Sequence, residues 1–143
     1  MSITQRNQTR SQSTADIRHK HVFLFNNTYQ SAIFLNNTPG ELTLKMGSLV
    51  VRNTASPAQV IPATTDNLAD VIGIVAVDDD FVLDTTETLD INYGTSGDVN
   101  ENELVLPSGV TLDTAVGNKT LRDVLNGQGF YLRKTTNNTK FDN

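Results

Sequence analysis

The run Ala69 to Phe81, ADVIGIVAVDDDF, constrains the chain more than any other stretch. From Val71 to Val77 every position is apolar except Gly73, so both faces of whatever forms there must be covered. A short Val/Ile-rich run without helical spacing reads as a strand buried on both sides. It is the expected central strand, residues 71–77. Gly73, lacking a side chain, would let another backbone or strand approach closely. Asp78, Asp79 and Asp80 repel one another and demand solvent, so they mark the strand's exit to the surface. Successive strand carboxylates alternate in direction, which argues against a cation site at the triplet.

The segments around this strand are also β-like. HVFLFNNTYQSAIFLNNTPG holds two apolar runs, Val22 to Phe25 and Ala32 to Leu35, each closed by Asn-Asn-Thr, and reads as a hairpin over residues 22–35. ELTLKMGSLVVRN alternates and then breaks at Gly47, a strand interrupted by a turn or bulge. Residues 54–67, with Pro57 and Pro62, read as a long loop or irregular edge. TLDINYG is an alternating strand ended by a turn at GTSGD, and NELVLPSG is a further short strand. The one convincing helix is NKTLRDVLNG, about residues 119–126, with Asn118 as N-cap and Gly127 at its end. FYLRK returns to strand. The fold class is therefore mostly β: a single small barrel or sandwich domain with one short helix and a mobile N-terminal arm.

A length of 143 residues suits one domain. We divide it into a polar, basic arm at residues 1–20, a β-rich body at 21–134, and a polar tail at 135–143. The arm has only Ile3 and Ile17 as large apolar side chains, too few to offset the entropy of ordering it alone. The chain start lacks the apolar core of a signal peptide, and no stretch is apolar enough to span a membrane, so a soluble protein made in the cytosol is expected. Asn-x-Ser/Thr triplets begin at Asn7, Asn26, Asn36, Asn118 and Asn137, but mean little without secretion.

The net charge of −5 conceals a strong asymmetry. Arg6, Arg10, Arg18 and Lys20 outweigh Asp16 in the arm, and Arg133, Lys134 and Lys140 outweigh Asp142 at the other end. The stretch between them carries fourteen acidic and four basic side chains. Basic ends on an acidic body suggest ends that engage something negative while the body faces solvent.

Chemistry finds little purchase. Cysteine is absent, which removes disulfides, thiolate ligands and a cysteine nucleophile together. The only histidines, His19 and His21, offer two nitrogens without a third ligand nearby. LDTT at Leu83 and LDTA at Leu112 lack the glycine of an aspartic-protease loop. Asp98, Asn100 and Asn102 begin like a calcium loop, but Glu103 and Gly109 stand at its two diagnostic positions. No phosphate-cradling glycine pattern occurs, and an acidic body disfavours specific nucleic-acid binding. The expectation is a non-enzymatic protein without cofactor or metal; a pocket in which Asp78, Asp80 and Asp84 converge would reverse it.

The order MGSLVVRN, ADVIGIVAVDDDF, LDINYGTSGDVNENELVLPSG, a small helix and the closing GQGFYLRK resembles the lambda-type head decoration proteins of tailed bacteriophages, over about residues 40–134. The resemblance rests on the order of these motifs. It implies a β-clip or tulip-like domain on the outside of an icosahedral head, a homotrimer at three-fold positions, made in the host cytoplasm. It further implies an N-terminal arm that docks on the major capsid protein lattice by adding a strand to an exposed edge, here with Arg6, Arg10, Ile17, Arg18 and Lys20. The alternative is a virion adhesion or fibre-attachment domain that binds host glycans or another virion protein. It would need an exposed aromatic platform, for which Tyr29, Tyr93 and Tyr131 are the candidates; the same tyrosines are candidates for contacts between subunits.

Overall fold

The computed structural model describes residues 22–134. They form ten strands, β1 (Phe23–Leu35), β2 (Leu42–Leu44), β3 (Leu49–Arg52), β4 (Gln59–Pro62), β5 (Val71–Val75), β6 (Phe81–Leu83), β7 (Thr88–Asn100), β8 (Ala115–Val116), β9 (Lys119–Thr120) and β10 (Phe130–Arg133). One α-helix, α1 (Leu121–Gln128), precedes the last strand. The chain is mostly β and contains a closed five-stranded barrel. Its strands follow the order β1-β4-β3-β5-β7, and pairing of β1 with β7 closes the ring. Only β1 and β4 run parallel within it. β10 adds to β7 outside the barrel, in parallel, and β2 with β6 makes a separate two-stranded ribbon. Among the described residues no helix is long and apolar enough to cross a membrane.

Alternation along the strands sorts the apolar side chains into two cores. Phe34, Val50, Val60, Val75, Ile91 and Tyr93 fill the barrel, with Leu44 and Leu83 of the ribbon closing over them. The odd-numbered neighbours Leu49 and Val51 point the other way, into a second core with Val71, Ile74, Val99 and Phe130. Leu121, Val124 and Leu125 of α1 cover this second core. A strand with buried side chains on both faces needs such double cover, which is why the run at Val71 has to be so uniformly apolar. β5 lies between β3 and β7 and ends at Val75, two residues short of the strand expected at residues 71–77. Asp78, Asp79 and Asp80 are exposed in the turn beyond it.

Several elements differ from the sequence reading. The hairpin expected at residues 22–35 is one continuous strand. Asn26 adopts a left-handed φ of 57°, and the Asn27 side-chain amide donates to the backbone carbonyls of Ser96 and Asp98. The asparagines that look like a turn therefore carry a bulge and replace ladder hydrogen bonds. GTSGD likewise continues β7, because Gly97, at φ 113°, lets the β1 backbone at Asn26 and Asn27 come close. The supposed loop at residues 54–67 contains β4, which Pro62 can end because that position donates no ladder bond. NELVLPSG forms no strand beyond a single bridge from Val105 to Ser48. The helix starts at Leu121 and ends at Gln128, later than expected. Thr120 is the N-cap, Asp123 completes a reciprocal capping box, and Gly129 takes the left-handed C-cap.

Gly73 sits beneath the Tyr93 ring, and a Cβ there would also lie 2.7 Å from the Gly94 carbonyl oxygen. Gly73→Ala is expected to cost about 1–3 kcal/mol through overpacking, read as a lower urea midpoint at unchanged slope. A second test concerns the helix cap. Hydrogen bonds from Thr120, backbone first and then side chain, hold the Asp123 carboxyl below its ordinary range. A lowered folded pKa gives stability that is present above the unfolded value and lost as pH falls through the folded one. Asp123→Asn should thus be less stable than the parent at pH 7, with the gap closing as pH falls below the usual carboxylate range.

Candidate functional site

The barrel ends where β5 stops pairing with β7, at Gly94. Beyond that point β10 takes the place of β5, facing Gly97 to Asn100. β1, the far part of β7 and β10 therefore extend from the barrel as a three-stranded wing. One face of the wing belongs to the second core: Phe23 and Leu132 stand opposite Val99 in a single cross-strand row, beneath α1.

Among the described residues no element covers the other face of the wing. Register shifts along β1 decide what lies on it. Phe23 pairs with Val99 and Phe25 with Asp98, so two β1 residues advance against one of β7. Strict alternation would put Phe25 beside Phe23; the bulge turns it outward instead. Phe25 and Tyr131 then flank Asp98 in one row, separated by two strand spacings, about 10 Å. They are 64% and 58% exposed. Arg133, two residues beyond Tyr131, donates from Nε to Asp98 Oδ2 at 2.7 Å. The open face thus presents two aromatic rings on either side of an ion pair.

The first and last described residues, Val22 and Lys134, both lie at this end. The Val22 carbonyl accepts from the Asn100 amide at 2.9 Å, and Arg133 pairs with Asn100 from the opposite side. The basic segments 1–21 and 135–143 therefore connect at the same end of β7. Arg6, Arg10, Ile17, Arg18 and Lys20, together with His19 and His21, lie outside the described residues. Two acidic groups at this end are paired: Asp98 with Arg133, and Glu101, 5% exposed at its side chain, with Arg122, Lys134 lying 3.9 Å away.

The opposite end of β7 has the reverse character. Asp78, Asp79, Asp80, Asp84, Glu87 and Asp90 are all exposed, and among the described residues none is in an ion pair. Phe81 and Val82 of β6, between Asp80 and Asp84 in the chain, are exposed as well. Asp84 donates its amide to Glu87 Oε1, so LDTT is a turn tied by a side chain. Among the described residues no three His, Asp or Glu side chains are grouped to hold a metal. The calcium-like positions are otherwise occupied, Asp98 by Arg133 and the Asn100 side chain by the Asn102 amide. Asn36 of the third Asn-x-Thr triplet is fully buried, its amide donating to the carbonyls of Gly40 and Leu83 and its oxygen accepting from Thr38.

The three tyrosines do not form a platform. Tyr93 is a correction to the sequence reading: it is 1% exposed inside the barrel, its hydroxyl donating to Gln30 Oε1 and accepting from Arg52. Alternation placed it between Ile91 and Gly94 on a strand, but only barrel closure sends it inward. Tyr29 is half-exposed and touches Phe23 edge-on at 5.4 Å, on the face that Phe23 shares with the second core. Partial burial raises its phenol pKa. Tyr131 is on the uncovered face. Its partner there, Phe25, was hidden from sequence reasoning because a bulge leaves no mark in hydrophobic periodicity.

Because Phe25 and Tyr131 fill no core, Phe25→Ser and Tyr131→Ser should each shift the urea unfolding free energy by no more than about 0.5 kcal/mol. A larger loss would place these rings in the folding core. No protein-family model matches the chain, and no curated protein matches it in sequence.

Proposed function

We propose that this chain is a non-enzymatic structural protein of a virion that decorates and stabilises the outside of a bacteriophage capsid. The observation that carries this reading is the convergence at one end of β7. The two basic end segments are attached there, through Val22 and Lys134, beside a sheet face on which Phe25 and Tyr131 are exposed. Such a layout suits attachment by several weak contacts acting together: basic charge, an aromatic face and strand edges. β1 pairs with β4 only at Ile33 and Phe34, so the outer edge of its first half has no strand partner among the described residues. The outer edge of β10 is in the same position. Backbone groups on such edges accept or donate to an added strand without regard to sequence. The order of sequence motifs, resembling the head decoration proteins, supplies the identity of the surface: the lattice of the major capsid protein, with three copies at each three-fold position.

In this reading the arm, residues 1–20, engages the lattice with Arg6, Arg10 and Arg18, and the barrel remains outside as a rigid weight-bearing body. The acidic body keeps copies soluble at high local density.

Co-sedimentation with DNA-filled heads that lack the protein tests this. Binding should saturate at hundreds of copies in multiples of three. Deleting residues 1–20 should abolish attachment while leaving the urea midpoint of the body unchanged. A truncated chain that still decorates heads at full occupancy would overturn the role of the arm. Binding of only a few copies by the full chain would favour fibre attachment or adhesion.

A further inference from the structure

We infer that the outer wall of the barrel, where β1 pairs with β7, binds a neutral sugar residue in a groove formed by Ser31, Ile33, Ala58, Asp90 and Asn92. Only barrel residues and Ala58 beside β4 take part, and capsid attachment is not required.

Strand pairing fixes which side chains meet there. From Tyr29 to Leu35 the two strands pair one for one, with Tyr29 opposite Gly94, Ser31 opposite Asn92 and Ile33 opposite Asp90. Ala32, Phe34, Ile91 and Tyr93 belong to the barrel interior, so the alternate positions face out. Between this wall and Ala58 lies a groove of about 470 Å³. Sites for small ligands run from roughly 300 to 1,000 Å³.

Two polar groups in the groove have opposite hydrogen-bonding roles. Ser31 Oγ donates to Asn92 Oδ1 at 2.9 Å, which commits the amide oxygen and leaves the NH2 group, a donor only, as the free end of the side chain. Asp90 lies two residues away on the same face, about 7 Å along the strand, and its carboxylate only accepts. Among the described residues it is in no ion pair. A donor beside an acceptor matches a ligand group that gives and takes a hydrogen bond at once, and a hydroxyl does both. An ammonium would face the amide N–H groups, and an anion would face Asp90. An apolar molecule would strip water from both polar groups and replace none of it.

A sugar ring presents several hydroxyls and also an apolar C–H face. The groove has a counterpart for each. Ile33, 38% exposed, and Ala58 supply apolar surface beside the polar pair. Tyr29, half-exposed, stands two residues before Ser31 on the same face, its ring held edge-on against Phe23. Because Ser31, Ile33, Asp90 and Asn92 sit on paired strands, the contacts are in place before a ligand arrives.

Methyl glycosides of glucose, galactose, mannose and N-acetylglucosamine are the probes, each titrated separately into the isotope-labelled full chain and followed by NMR. At least one should give saturable shifts in the millimolar range, confined to the Asn92 side-chain amide and the backbone amides around Ser31, Ile33, Ala58 and Asp90. Asp90→Ala and Asn92→Ala, both at exposed positions, should each weaken that binding at least about tenfold, through the hydrogen bond each removes. Methylammonium chloride and sodium acetate should leave the same signals in place. Equal urea midpoints for parent and variants show that the wall is intact, and the map of shifts in the parent needs no substitution. No saturation with any glycoside, affinity unchanged in both variants, shifts centred elsewhere on the surface, or saturation by methylammonium in place of the glycosides would each overturn the inference.

Discussion

Everything else in this molecule depends on the pairing of β1 with β7. These two strands, each 13 residues long, pair along their length, from Phe23 opposite Val99 to Leu35 opposite Thr88. Without that ladder, β4-β3-β5-β7 would be an open sheet with bare edges, and Phe34, Val60, Ile91 and Tyr93 would have no enclosed space to fill. Closure removes the edges inside the barrel and dictates which side chains face inward. Because both strands outrun the barrel, the same ladder also creates the wing. The interior and the uncovered face are consequences of one pairing at different positions along it.

Irregularities in the ladder carry as much meaning as its regular part. In the stretch from Tyr29 to Leu35 the residues pair one for one, and inward and outward positions alternate. Between Phe23 and Tyr29 the register shifts three times. Such shifts increase local twist and bend the strand, and here they reverse the direction of Phe25. A strictly regular β1 would have placed that ring beside Phe23, beneath the helix. The bulge is thus the device that converts a core-type residue into a surface one, and Asn26, with Gly97 beneath it, tolerates the required backbone better than most residues would.

The legible and illegible parts of the sequence divide along the same line. Val71 to Val75, the break at Gly47 and the strand after Gly129 could be read because their signals are local: an apolar run, a left-handed glycine, a cap. The mostly β class and the exposed Asp78 to Asp80 turn followed from the same kind of evidence. Asn-Asn-Thr and Gly-Thr-Ser-Gly were misread because a bulge uses the residues of a turn, and only the partner strand decides between them. Tyr93 was misjudged for a related reason. Its alternation was visible, yet which of two faces becomes the closed interior is set by β1, some 60 positions away; the Tyr93 to Gln30 bond spans 63. Of the candidate surface, Tyr131 was within reach of the sequence and Phe25 was not.

The long separation between β1 and β7 has a consequence for the making of the chain. Asn27 and Asp98, which share a hydrogen bond, are 71 positions apart. At about 5–20 residues per second of synthesis, β1 leaves the ribosome roughly 4 to 14 s before its partner exists. Through that interval it is a solitary strand, a template for pairing with other nascent chains. Its middle, Asn26 to Ser31, is polar at every position but Tyr29, which makes β1 a poor aggregation nucleus while it waits. The asparagines, glutamine, threonine and serine that obscured the strand in the sequence are the same ones that keep it soluble until the barrel can close.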